Sequence, residues 1–120
     1  MYVDGFLVPV TRDRIDEYLR MASDVGRIWI DHGALSVTEA MADDVPDGVH
    51  TSFPMAVKLE PDEVVFFSWI TYRDRAHRDE VNARVTADPR MAWDRTQTPP
   101  MNLQRMVWGG FLARVQLGAA

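Results

Sequence analysis

The chain has no cysteine, which excludes a disulfide framework, a zinc-thiolate centre and thiol nucleophilic catalysis. Long apolar runs are missing too: Val64-Val65-Phe66-Phe67 and the stretch 108–113 fall far short of the roughly 18 residues of a membrane-spanning helix. Positive charge is in deficit, with 13 Lys and Arg against 18 Asp and Glu and a net charge of −5. That is the wrong sign for a surface that follows a phosphate backbone, so no nucleic-acid partner is expected. Met1-Tyr2-Val3-Asp4-Gly5 lacks the basic region and apolar core of a secretory signal, and a cytoplasmic location is the expectation. What is present, 120 residues of which 47% are hydrophobic and 26% charged, has the length and apolar content of one folded domain, 1–120.

Hydrophobic periodicity divides the chain into alternating element types. Residues 2–10 are β-branched and aromatic, with Pro9 near the end, and predict a first strand. Ile15, Tyr18, Leu19, Ala22, Val25 and Trp29 then recur at helical spacing. Thr11 or Asp13 offers an N-cap and Gly33 a left-handed stop, which predicts a helix over 13–32. Met21, Ile28 and Ile30 widen its apolar arc to roughly 200°, more than the ~100° that resting on one sheet requires. A moderate alternation over 34–42 predicts the second strand, with Leu35, Val37, Glu39 and Met41 on one side. The turn residues Asp43 to Gly48 open a connection to about Asp62, long enough to carry local structure of its own. The third strand, 63–72, is the most hydrophobic segment. Asp74 caps a second helix over 75–87 that Pro89 must follow. Residues 88–104 are irregular but carry Met91, Trp93, Met101 and Leu103, which suggests that they pack down. A fourth strand covers 105–117, where Gly109-Gly110 signals a bulge or a close backbone approach.

The order βαββαβ predicts an α+β, ferredoxin-like fold: a four-stranded antiparallel sheet with both helices on one face. The other face should then be polar in a monomer. It is not, because Val65, Phe67 and Trp69 oppose Val64, Phe66, Ile70 and Tyr72 in the third strand, and Val3 and Leu7 oppose Phe6 and Val8 in the first. Leaving such side chains in water forfeits about 1.5–3 kcal/mol each against a net stability of about 5–15 kcal/mol. The simplest cover is the same face of a second copy, a homodimer through the sheet. The alternative cover is the two long connections folding back.

Several stretches together resemble the YbaA-like family of small bacterial proteins, a domain of unknown function. They are Tyr2 to Phe6, His32-Gly33-Ala34-Leu35, Asp43-Asp44-Val45-Pro46, Thr51-Ser52-Phe53-Pro54, Phe67-Ser68-Trp69-Ile70, Arg75 to Asp79, Val81-Asn82-Ala83, Ala87-Asp88-Pro89-Arg90 and Arg105 to Phe111. The resemblance spans nearly the whole chain. It implies membership of the dimeric α+β barrel group, which also holds cofactor-free monooxygenases, muconolactone isomerase-like enzymes and haem enzymes. Fold likeness of that kind does not set a reaction.

The candidate site therefore comes from the residues. His77 shares an inward helix face with Val81 and Val85. It sits in the first turn, where the helix dipole disfavours imidazolium, which suits a general base. Against this, the same residue can simply bond to the chain near Asp74 at the edge of the core. Trp69, Tyr72 and Trp108 are candidates to line a pocket for a planar ligand, or else core and interface residues. Arg105 is a candidate ligand contact, and Arg105 or Arg114 a candidate partner for a half-buried Asp4 or Glu39. His32, at the end of the first helix, reads as a C-terminal cap. No histidine pair has ligand spacing and Pro46 interrupts the acidic loop, so no metal is expected. No cofactor is expected either, since haem and nucleotide motifs are absent. Two readings stand. One is a small homodimer that binds an apolar or aromatic metabolite, as a cofactor-independent oxygenase or isomerase in which His77 moves a proton and the 43–62 segment forms a pocket wall or lid. The other is a non-catalytic dimeric binding or structural protein.

Overall fold

In the computed structural model, which describes residues 1–118, the sheet is built outward from its first strand. Strand β1 (Tyr2–Thr11) pairs antiparallel with β3 (Glu63–Tyr72) over its whole length and with β4 (Val107–Leu112) over its first half. Strand β2 (Ser36–Met41) pairs with the other side of β3, giving the order β2-β3-β1-β4. The chain is thus a mixed α+β protein with a four-stranded antiparallel sheet, as the element order predicts. Helices α1 (Ile15–Asp31) and α3 (Arg75–Thr86) lie on one face, and the short helix α2 (Phe53–Ala56) falls in the long connection. No helix of the described residues is long and apolar enough to cross a membrane.

Strand periodicity decides which side chains meet the helices. Tyr2, Val8 and Val10 of β1 and Val64, Phe66, Ile70 and Tyr72 of β3 point to the helix face. There they form two adjoining buried clusters with Tyr18 and Ile28 of α1 and with Val81 and Val85 of α3. The end signals of the helices are mostly where the sequence puts them. Asp74 accepts the backbone N–H of His77 at 2.8 Å to cap α3, and Gly33 takes a φ of 109° to turn the chain out of α1. Gly26 lets α1 approach β2 closely, for a Cβ there would lie 3.2 Å from a Val37 methyl.

Three boundaries differ from expectation. Helix α1 starts at Ile15 after a 3-10 turn at Arg12–Arg14, and neither Thr11 nor Asp13 caps it with a side chain. Arg14 ties this start instead, bonding Glu17 and the carbonyls of Thr98 and Pro99. Strand β2 is shorter than 34–42, because Ala34 still bonds back to Trp29 of α1. Strand β4 covers only 107–112, because the Ala113 N–H bonds the Met1 carbonyl at the very start of the partner strand. Gly109-Gly110 causes no bulge, since the register with β1 is continuous. It is a close approach: a Cβ on Gly110 would overlap the Tyr2 hydroxyl and the Arg78 guanidinium.

The second sheet face is open. Leu7, Phe67 and Val107 lie side by side across β1, β3 and β4, next to the row of Trp69 with two glycines and the row of Thr71, Val3 and Phe111. Phe67 is 47% exposed and Phe111 65%. The 43–62 connection reaches this face at Val45 and at α2, where Phe53 meets Phe67 edge-on with ring centroids 5.9 Å apart. The connections therefore cover one corner of it. In the irregular stretch Met91 and Met101 pack onto the core as expected, whereas Trp93 and Leu103 stay exposed.

Candidate functional site

The residues singled out from sequence lie in different places. His77 is buried, but its imidazole faces no cavity. Its Nδ1 accepts the backbone N–H of Arg73 at 3.0 Å, its ring stands edge-on to Tyr72, and Nε2 faces Gly33. This bond to the chain beside Asp74 is the structural role weighed above. Tyr72 is wholly buried, its hydroxyl accepting from Trp29 Nε1 at 3.1 Å and facing Asn82. Burial raises its pKa, the first of several causes. Trp108 is opposite Phe6 on the edge strand, beyond the reach of either helix and largely exposed. Arg105 donates to the Val57 and Lys58 carbonyls and to Glu63, whose carboxyl it holds below the usual range. It anchors the long connection to the sheet. Asp4 is paired with Arg78, not with Arg105 or Arg114, because α3 passes over β1 at that level. His32 bonds Asp88 at 2.7 Å and so links the end of α1 to the 3-10 turn at Pro89–Met91, leaving the last carbonyls of the helix uncapped by its ring.

A strongly apolar cleft lies beneath α1, and of the five predicted residues Trp69 alone borders it. The cleft, of about 200 Å³, lies between α1 and the helix face of the sheet. Phe6 and Val8 form its floor, Tyr18, Met21, Ala22 and Trp29 its roof, and Met101 and Met106 close one end. That closing segment follows residue 100, so the 43–62 connection is not its lid. The connection lies by the open face, where Phe53 and Val45 flank Phe67 in a smaller hollow.

Polar groups enter this cleft at one point. Glu39 lies in the helix-facing register of β2, opposite Ser68 of β3. Tyr18 Oη donates to its carboxylate, 2.9 Å from both oxygens. Burial holds the Glu39 carboxyl above the ordinary carboxylate range, while hydrogen bonds from Tyr18 and Ser68 pull it back only in part. Burial and the neighbouring carboxylate likewise push the Tyr18 phenol up. Among the described residues Glu39 has no ion pair, and no three side chains converge as a metal site. One trace of this arrangement is legible in the sequence, since Glu39 stands where the strand pattern asks for an apolar side chain. Nothing local links it to Tyr18, 21 positions earlier; the sheet order brings them together.

Comparison with known proteins identifies relatives rather than a reaction. Residues 1–102 match the family model described as a protein of unknown function (DUF1428). The chain is 44% identical over 110 residues to the uncharacterized protein YbaA of Escherichia coli K12, covering 92% of this chain and 93% of that one, and equally similar to its Shigella flexneri counterpart. Among solved structures, an uncharacterized NIPSNAP domain protein from Burkholderia xenovorans aligns over 99% of this chain and all of that one, with a TM-score of 0.53 and 21% identity. That likeness is one of fold.

Proposed function

We propose, from the premise that the chain belongs to the DUF1428 family of proteins of unknown function, that it is a homodimer whose subunits each hold a small, largely apolar ring compound in the cleft beneath α1. The observation that carries this reading is the cleft's make-up: aromatic and methionine walls around a single carboxyl group. Ligand sites are concave and mostly apolar, with few polar groups that fix orientation. An empty apolar cavity of about 150 Å³ takes up benzene, so the volume here suits one ring with a short substituent. Glu39 is the group that would orient it. With the Nδ1 of His77 occupied by the Arg73 N–H, binding is a better reading than proton transfer by that residue.

The exposed Phe67, Val107 and Phe111 support the homodimer in a ferredoxin-like, α+β barrel arrangement, with open sheet faces joined. The opposing reading, a non-catalytic dimer whose aromatics serve only as interface, draws on the same three residues but leaves the cleft without a use. One pair of measurements tests the proposal. Light scattering at micromolar concentration should give twice the chain mass, and Phe111→Asp should give the chain mass. In thermal-shift assays, monocyclic compounds at ~100 times their dissociation constant should raise the melting temperature by several degrees, equivalent to about 2.7 kcal/mol. A monomeric wild type would refute the assembly, and a flat response across rings of this size would refute the cleft as a binding site.

A further inference from the structure

We infer that the cleft selects a hydrophobic ammonium ion, a single-ring or short-chain monoamine whose protonated nitrogen sits against Glu39; this rests on the cleft being a ligand site. The charge arithmetic of the site is unbalanced. Glu39 receives the Tyr18 hydroxyl and lies opposite Ser68, whose side chain is also a hydroxyl. Donors of that kind organise the site around an accepting, ionised carboxylate. Yet no Arg, Lys or His belongs to the cleft lining. A half-buried carboxylate with hydroxyl neighbours and no ion-pair partner lacks what would repay its partial desolvation. An ammonium group supplies it and also donates N–H bonds to the remaining lone pairs.

Other ligand classes fit less well. An anionic ligand would set like charge beside Glu39 with no cation in the walls. A neutral carbonyl compound would need Glu39 to carry a proton, whereas Tyr18 already directs its own proton at both carboxylate oxygens. The walls also suit a cation: the rings of Phe6, Tyr18 and Trp29 offer negative π-faces, and Met21, Met101 and Met106 offer polarisable thioethers. The charged groups near Glu39 are few. Tyr18 faces it from α1, and Arg27 lines the neighbouring outer groove that Glu39 also borders, without forming an ion pair to it. From β3 the facing residue, Ser68, is uncharged.

The test uses three probes of nearly equal shape: phenethylamine, 2-phenylethanol and phenylacetate, titrated calorimetrically at pH 7.5 into the intact protein. Wild type should bind phenethylamine at least about tenfold more tightly than 2-phenylethanol, and phenylacetate most weakly. Glu39→Gln should remove that preference, bringing the amine and alcohol affinities to within about twofold of each other. Glu39→Met serves as a second variant, with near-ultraviolet circular dichroism to check that each is folded. Equal affinities for amine and alcohol in wild type, or an amine preference that survives both substitutions, would overturn the inference and leave the cleft as a site for neutral rings. Failure of all three probes to bind would overturn the cleft reading itself.

Discussion

Arg78→Ala is expected to lower the unfolding free energy by about 3–5 kcal/mol, the cost of leaving one partner of a buried ion pair uncompensated. Asp4 and Arg78 face each other at 3.2 Å, the carboxylate almost wholly buried. The same guanidinium donates to the Tyr2 hydroxyl at 3.1 Å and lies over the Tyr2 ring, 5.0 Å from its centroid. Burial already raises the Asp4 carboxyl above its ordinary range, with Arg78 pulling the other way. Without Arg78 it rises further. A folded carboxyl raised above its unfolded value takes up its proton at a higher pH than the unfolded chain does, so stability falls as pH rises through that window. The Arg78→Ala deficit is therefore largest near neutrality and shrinks toward pH 4. Urea unfolding at pH 7.5 and pH 4.5 measures this, and equal deficits at both would show that lost packing, not an orphaned charge, sets the cost. Asp4→Asn added to Arg78→Ala should recover part of the loss at pH 7.5.

Phe66→Ala should cost a similar amount, about 3–5 kcal/mol, because its ring is buried and the cavity left behind cannot close fully. The ring is 1% exposed and packs against Tyr18 with centroids 4.7 Å apart. Its loss should also loosen the Tyr18 hydroxyl from Glu39. Phe67→Ala, one residue on, makes the opposite test. Phe67 is on the open face, so its removal should leave the stability of the isolated chain within about 1 kcal/mol while weakening the proposed dimer. Unfolding followed over a hundredfold range of protein concentration separates the two: the Phe67 variant should lose concentration dependence, and the Phe66 variant should keep it at a lower midpoint. A Phe66→Ala midpoint close to wild type would show that the helix-side core does not depend on this ring.

The contrast between these neighbours was legible in the sequence, because strand alternation needs only a period of two. So was the α3 face carrying His77, Val81 and Val85, and so were Asp74 and Gly33 as start and stop. Assignments that depend on what lies across the sheet were not. Arg78 stands among charged neighbours on α3, and its burial against Asp4 follows only when that helix is set over β1; Tyr18 reads as one more apolar position of α1 until Glu39 arrives beneath it. His77 showed the right burial but not its use, which depends on a single backbone N–H. Tyr72, Trp108 and Arg105 stand out in the sequence by chemical type alone, and type cannot say that one is core, one edge and one an anchor. The end of β4 is not legible either, because apolar alternation continues after Leu112, where its pairing with Tyr2 ends.

The position of β1 has a consequence for how the chain is made. Both of its neighbours are encoded late, β3 ending at Tyr72 and β4 at Leu112. At about 5–20 residues per second of synthesis, the first strand waits some seconds for its first partner and longer for its second. Until then its aromatic and aliphatic side chains have only α1 to shelter against. Pairings so far apart in sequence are slow to close, and a nascent chain stalled before residue 63 would hold a strand with both edges bare. A fragment ending before β3 should consequently not fold by itself, since both edges of β1 would lack their partners.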